Sequence, residues 1–335
     1  MKESVVNYCA AIGADSLLVQ GAGGNASWKD GDTLWVKASG TWLSDAAEKD
    51  IFVPVILGHL QQAIAVSNFM VTPRLHSESN LRPSIETLLH ALMPHPVVVH
   101  LHAIEILAHL VRHDVELTLL ASLGSLVRWT RVSYQKPGAE LARAVCEALA
   151  STQDANVVFL QNHGVVIGGS DIAEVDAILK RLVDTLKIPT RTVSNLPSPD
   201  FDISIAENKF YTPIQDPLVH QLAMDMALYK RLVSDWALYP DHVVFLGAKA
   251  NVYESIDILK KSLVGKAELP KLVLVQGVGV FVLPEFNQGK RLQLRCYYDV
   301  LTRQEEYATL NSLNNDEIAY LLSWDAEKYR MLVAM

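Results

Sequence analysis

The sequence predicts an α/β protein of two domains, and three observations predict it. Strand-like and helix-like segments alternate through residues 1–188, a proline- and serine-bearing stretch at 188–202 breaks the pattern, and the same style then resumes to residue 335. A chain of 335 residues is long enough for two ordinary domains. With 50% hydrophobic residues it has the apolar surface to fill their cores.

MKESVVNYCAAIGAD reads as a short amphipathic helix stopped at Gly13. Asn7 interrupts its apolar positions and no long apolar core follows a basic start, so it is not a secretory leader. Ser16–Gln20 is a short apolar, strand-like run ending in the glycine-rich GAGGNAS. Thr33–Ala38 follows Asp30-Gly31-Asp32, a hairpin-type turn signal. A helix opens at Ser84 and stops before Pro94. VVVHLHA (97–103) is rich in β-branched residues and reads as a buried strand, and NVVFLQNHGVVIGG (156–169) as two strands around a polar loop. Ile172, Val175, Leu179, Leu182, Val183 and Leu186 recur on one face of a helix. Three prolines and two serines in 188–202 mark a linker, placed at 191–202, between a domain of residues 1–190 and a smaller α/β domain of residues 203–335. HVVFLG (242–247) and LVLVQGVGVFVL (272–283) read as strands of that second domain.

The net charge of -8 argues against a nucleic-acid partner, which needs clustered Lys and Arg, but not against an anionic small molecule. Cys9, Cys146 and Cys296 are far apart and odd in number, so a reducing, cytoplasmic setting is expected. No run approaches the ~18 uninterrupted apolar residues that span a bilayer, and no membrane partner is expected.

His100-Leu101-His102 is the central feature. Side chains alternate faces along a strand, so both imidazoles point the same way and form half of a metal site. Asn162-His163-Gly164, where one apolar strand gives way to another, can bring a third. Three imidazoles and an open position are the pattern of a catalytic zinc site. Strand histidines are also often simply packed, and spacing alone does not separate the two readings. Glu86, fourteen residues before His100, sits in the first helical turn after Ser84. It is either a dipole-complementing acid or a carboxylate beside the metal able to move a proton. The small residues of GAGGNAS can hold a phosphate on exposed amides. Gly21-Ala22-Gly23-Gly24-Asn25-Ala26 also matches GxGxxA, but Ser27–Asp32 reads as a turn leading into a strand, where a dinucleotide fingerprint needs a helix.

Taken in order, GGNAS (23–27), VKASGT (36–41), RPSIETLLH (82–90), HLH (100–102) and NHGVVIGG (162–169) resemble the class II aldolase/adducin family over roughly residues 1–190. The resemblance implies a three-layer αβα domain around a central mixed sheet. It implies a metal, zinc or else manganese or another divalent ion, on His100, His102 and His163. It makes Glu86 the acid/base, has Asn25, Ser27, Ser39, Gly40 and Ser84 grip a substrate phosphate, and has Tyr134 reach a neighbouring subunit's site to protonate the aldehyde oxygen. Tyr134 read by itself is equally a buried or interfacial tyrosine. The implied activity is retro-aldol cleavage of a ketose, a ketose 1-phosphate by preference, through a metal-stabilised enediolate, in a fourfold-symmetric homo-oligomer. Epimerisation, dehydration and decarboxylation use similar chemistry, and a non-catalytic adducin-like interaction module is the alternative of a different class. Two positions depart from the pattern: Ile85 stands where a second serine is usual, and Ala38 where a proline is. Residues 200–335 resemble the segment that follows the aldolase part of bifunctional rhamnulose-1-phosphate aldolase/alcohol dehydrogenases. Gly277 and Gly279 there are read as a tight turn, not a nucleotide site.

Overall fold

The computed structural model describes residues 1–191, 197–207 and 209–333. The chain divides into two compact units, one of Met1–Ile188 joined by the chain from Ser323 onward, the other of Pro189–Leu322. Residues 323–333, expected in the second domain, thus belong to the first. Residues 192–196 of the expected 191–202 linker lie outside the described residues.

The first unit contains α1 (Lys2–Gly13), β1 (Asn25–Asp30), β2 (Thr33–Lys37), β3 (Phe52–Ile56), α2 (Leu57–Ala65), α3 (Thr87–Leu92) and β4 (Val97–Leu101). Then come α4 (Ile104–Leu110), α5 (Val115–Leu123), β5 (Trp129–Val132), α6 (Ala139–Ser151), β6 (Val157–Leu160), β7 (Gly164–Gly169) and α7 (Ile172–Thr185). Among the described residues seven strands form one sheet in the order β3-β2-β1-β4-β7-β6-β5. β5 and β6 run parallel and the other pairs antiparallel, so the sheet is mixed.

Period-two alternation gives this sheet two cores. Val97, Val99 and Leu101 of β4 pack with α1, α4, α5 and α7. Val98 faces the opposite core, with α2, α3 and α6. Helices therefore cover both faces and the unit has three layers. Truncating a fully buried leucine such as Leu101 costs about 2–5 kcal/mol. The expected helix at Ile172 is present. Asp171 accepts from the Glu174 amide at 2.9 Å, Glu174 accepts from the Ser170 amide at 2.7 Å, and Val175, Ile178, Leu179 and Leu182 face the core.

Three expectations are corrected. Ser16–Gln20 is a turn, because Asp15 takes the Leu17 amide on its carboxylate (2.9 Å) and the Leu18 and Val19 amides on its carbonyl. The helix expected from Ser84 begins at Thr87. The Ser84 hydroxyl accepts from the Glu86 amide (3.2 Å) and its carbonyl from Thr87, so Ser84 builds the turn before the helix. HVVFLG is helical: in the second unit α8 (Gln221–Met224), α9 (Met226–Ser234) and α10 (Pro240–Leu246) follow the hairpin β8 (Ile203–Ala206) and β9 (Lys209–Pro213). Pro240 starts α10 and all seven of its residues are buried, leaving no helical period to read.

The second unit continues with β10 (Val252–Tyr253), α11 (Ile256–Leu263), β11 (Leu272–Val275), β12 (Gly279–Val282), α12 (Gln288–Leu301) and α13 (Asn315–Ser323, its last residue in the first unit). Its sheet has the order β10-β11-β12-β9-β8. Gly277, with φ 68°, lies in the turn between β11 and β12, the use expected for it. The chain ends in α14 (Asp325–Val333), part of the first unit. No helix among the described residues is long and apolar enough to cross a membrane.

His242 is fully buried among Trp236, Tyr239 and Tyr297, with ring centroids 4.4, 5.4 and 4.4 Å away. Burial lowers its pKa from 6.5 to about 3. The unfolded chain therefore binds a proton that the folded chain refuses, and stability falls as pH drops from about 6.5 toward 3. His242→Phe keeps a ring in the site and removes the titration. Urea midpoints measured between these limits should depend less steeply on pH in that variant than in the parent.

Candidate metal centre

The antiparallel pairing of β4 with β7 sets Leu101 opposite Val165 and His100 opposite Val166. The end of β4 and the start of β7 therefore share one edge of the sheet. His100 has the parity of Val98, so its ring lies on the α3 face, and His102 follows two residues on. His163 is delivered by the tight connection from β6. Asn162 there adopts φ 54°, a left-handed conformation that Asn tolerates better than most residues. At Gly164 a Cβ would lie 2.3 Å from the Leu101 carbonyl oxygen and 3.1 Å from His102 Cδ2. Only glycine lets β7 start that close to the β4 histidines.

The three imidazoles converge, each offering a ligand nitrogen within 4.8 Å of the others. All three residues are buried. The Nε2 atoms of His100 and His102 are 3.2 Å apart. Nitrogens bonded at about 2.0–2.1 Å to one tetrahedral zinc ion would be about 3.3 Å apart. His100 Nδ1 lies 3.1 Å from the Val165 carbonyl oxygen. An oxygen there can only accept, so Nδ1 carries the proton and Nε2 is left to face the cluster, the arrangement that orients a metal-binding histidine. The donor set fits a divalent ion.

Glu86, the residue just before α3, joins the cluster, with its carboxylate oxygens 3.2 Å from His163 Nε2 and 3.6 Å from His100 Nε2. Burial raises its pKa, but the positive charge that His100, His163 and His102 can carry, with Arg330 beyond them, outweighs burial and holds it at about 2. Four residues on, His90 is fully buried with Nδ1 2.8 Å from the Ser27 hydroxyl. Burial, then the charge of His100, lowers its pKa to about 3, so it is a neutral ring.

Asn25 pairs with His100 across β1 and β4, which brings the glycine-rich loop to the same edge. β2 runs back to that edge and ends there, leaving Ser39 and Gly40 (φ 80°) beside it. The Ser39 amide donates to the Arg82 carbonyl and the Ser84 amide to the Lys37 carbonyl, which ties Ser84 to the same place. Lys37, buried, donates to the carbonyls of Ala22 (3.2 Å) and Thr41 (2.6 Å), locking the glycine loop against the Ser39–Gly40 turn. Asn25, Ser39, Gly40 and Ser84 thus lie at the same edge of the sheet as the histidines, Ser27 lies two residues in from it on β1, and Glu86 alone is shown against the rings. Tyr134 does not join them through its strand. Val132 of β5 pairs with Leu160 of β6, so Tyr134 leaves the sheet on the correct edge, but β5 lies three strands from β4, roughly 14 Å at the usual strand spacing.

Sequence reasoning passed over His90, Lys37 and Arg330. His90 had a signal, since it stands four residues after Glu86. Lys37 stands in VKASGT, one of the motifs already read, whereas Arg330 had no signal, because its contacts are set by tertiary structure.

Residues 3–188 match the family model for the class II aldolase and adducin N-terminal domain. An uncharacterized oxidoreductase of Bacillus subtilis, YuxG, is 27% identical over 183 residues, which is 50% of this chain and 26% of that protein. The chain thus spans about a quarter of that relative. An L-fuculose phosphate aldolase of Methanocaldococcus jannaschii is 28% identical over 182 residues, covering 53% of this chain and 88% of the relative. Among solved structures, the N-terminal class II aldolase domain of a conserved protein from Thermoplasma acidophilum is 26% identical, with a TM-score of 0.46, and covers 55% of this chain and 89% of its own.

If this edge is a metal centre, the parent protein dialysed against zinc or manganese retains stoichiometric metal by mass spectrometry. His163→Ala should retain almost none. Gly164→Ala, which forces β7 away from Leu101, should lose metal affinity by at least the roughly 10- to 100-fold seen when residues supporting a ligand are removed.

Proposed function

We propose that this chain, which belongs to the class II aldolase and adducin family, is a divalent-metal-dependent lyase that cleaves a ketose 1-phosphate by a retro-aldol reaction. The observation that carries the reading is the approach of the Glu86 carboxylate to within 3.2 and 3.6 Å of two members of a three-imidazole cluster. His100, His102 and His163 would hold the ion. A divalent ion in such a site supplies a Lewis acid that polarises a carbonyl oxygen and makes the neighbouring carbon more acidic.

The chain's own residues do the rest. In the synthetic direction the Glu86 carboxylate takes a proton from the carbon next to the ketone. The electron pair left on that carbon attacks the aldehyde carbon, the new carbon–carbon bond forms, and the aldehyde oxygen takes a proton from Tyr134. Cleavage runs the same steps backwards. A proton donor for the aldehyde oxygen must stand apart from Glu86, on the far side of the reacting carbons. Tyr134, on β5's exit from the same edge, suits that place in the site of a neighbouring subunit, so the working form is a homo-oligomer. Asn25, Ser27, Ser39, Gly40 and Ser84 bind the phosphate through hydroxyls, the Asn25 side-chain amide and the Gly40 main-chain N–H. His90, neutral and against Ser27, fixes the direction of that hydroxyl.

Glu86→Gln keeps the shape of the side chain and removes its basicity. Exchange of the carbon-bound proton of a ketose phosphate with deuterated solvent, followed by NMR, should fall by about 10²- to 10⁴-fold, with metal retained. Undiminished exchange would remove Glu86 from the mechanism. Product analysis separates the related chemistries. Two fragments mean an aldolase, a recombined sugar means an epimerase, and absence of both exchange and bound metal means an interaction module.

A further inference from the structure

Helix α14 returns to the first unit at the sheet edge that carries the candidate centre, and its anchors stand on both sides of the histidines. Just before it, Trp324 lies against Gly138, in the segment that leaves β5, where a Cβ would be 3.3 Å from the indole; Lys136 Nζ is 5.9 Å from the same ring. Midway, the Arg82 guanidinium lies over the Tyr329 ring at 4.3 Å. At the far end, a Cβ on Gly40, in the segment that leaves β2, would meet Val333 at 2.6 Å and the Arg330 carbonyl at 3.1 Å. In the sheet, β1, β4, β7 and β6 lie between β2 and β5, and the three histidines stand where β4 ends and β7 begins. The helix is therefore fixed on both flanks of the histidines and lies across the edge between them.

The edge beneath is closed. Ser39, Gly40, His100, His102 and His163 are buried, and the Glu86 side chain is only 11% exposed. A ligand that is to touch both Glu86 and the Ser39–Gly40 turn needs an opening there. The helix that covers this edge is also the one built to leave it. A helix that belongs permanently to a core buries an apolar stripe. Among the described residues of α14 only Glu327 is buried, Leu332 is exposed, and neither hydrophobic core of the unit includes a side chain from it. Glu327 Oε2 lies 3.2 Å from Arg330 Nη1, a pair within the helix that moves with it. Segments with few buried apolar contacts are those that open locally while the rest of a domain stays folded. The seats are shaped to receive it, since Gly40 and Gly138, with φ 80° and 96°, leave the room that Val333 and Trp324 occupy.

We propose that α14 is a lid over the candidate metal centre. Closed in this structure, it shuts the sheet edge from solvent, and it must lift for a substrate or an exchanging ion to reach the histidines and the Ser39–Gly40 turn. The proposal rests on the metal-dependent reading for what lies beneath the helix, and on the packing of α14 for the lid itself.

Two rates test it in the full-length protein. Ser39→Cys places a thiol under the helix, and its alkylation by iodoacetamide is followed by mass spectrometry of the peptide. Adding Trp324→Ala and Tyr329→Ala, which remove two anchors, should speed that alkylation by at least about tenfold, and ending the chain after Ser323 should do the same. Cys9, in the core on the other face of the sheet, should stay unreactive throughout. The second rate is that at which a chelator strips zinc from the loaded protein. It should rise in the same variants, with the amount of zinc bound at the start unchanged. Equal alkylation rates in parent and variants overturn the lid. So does an equal gain at Cys9, which would make α14 a part of the fold, and so does faster alkylation with zinc stripped no faster, which would place the helix over the turn and not over the metal. Faster alkylation in a protein that takes up no zinc leaves the cover over the edge standing and removes the metal centre. Bound zinc with both rates unaltered removes only the lid.

Discussion

The close antiparallel pairing of β4 with β7 is the constraint on which the rest depends. It puts the end of one strand against the start of the next, and the absence of a side chain at Gly164 lets the Leu101 carbonyl sit where a Cβ would be. The same pairing supplies the Val165 carbonyl that fixes the proton of His100 on Nδ1. Two imidazoles thus come from a rigid strand and one from a short turn braced by it. The two cores hold the strands in register, because a slip of one residue would send His100 to the opposite face.

The electrostatics follow from that geometry. A carboxylate this deep would ordinarily become neutral, and the positive charge that the adjoining imidazoles can carry, with a smaller contribution from Arg330, holds Glu86 ionised. His90 is the counter-case, a buried ring kept neutral beside Ser27. One short stretch, from Ser84 to His90, therefore furnishes the turn, the acid and the ring that steadies a hydroxyl. Lys37 joins this stretch to the glycine loop, so the small polar residues at the sheet edge and the three histidines share one frame.

What could be read from the sequence was whatever local periodicity encodes. The parity of His100 and His102 needed only a strand, and Asn162-His163-Gly164 announced a backbone that ordinary residues cannot follow. A strand begins within GAGGNAS, at Asn25, and runs to Asp30 where a turn was expected over Ser27–Asp32, so a strand and not a helix follows the glycines. Residues 242–247 were misread because a helix buried on every side has no amphipathic period. Ser16–Gln20 was misread because Asp15 folds apolar residues into a turn. Arg330 lay out of reach for a different reason. Nothing local links residue 330 to residue 40, and only the folded chain, crossing a whole second unit and returning, brings them together.

Zinc K-edge X-ray absorption of the metal-loaded protein tests the central claim most directly. The account predicts a shell of three imidazole nitrogens at about 2.0–2.1 Å with oxygen completing the coordination, and loss of one imidazole in His163→Gln. A shell of oxygens or thiolates, or a spectrum that His163→Gln leaves unaltered, would place the ion elsewhere and contradict the account.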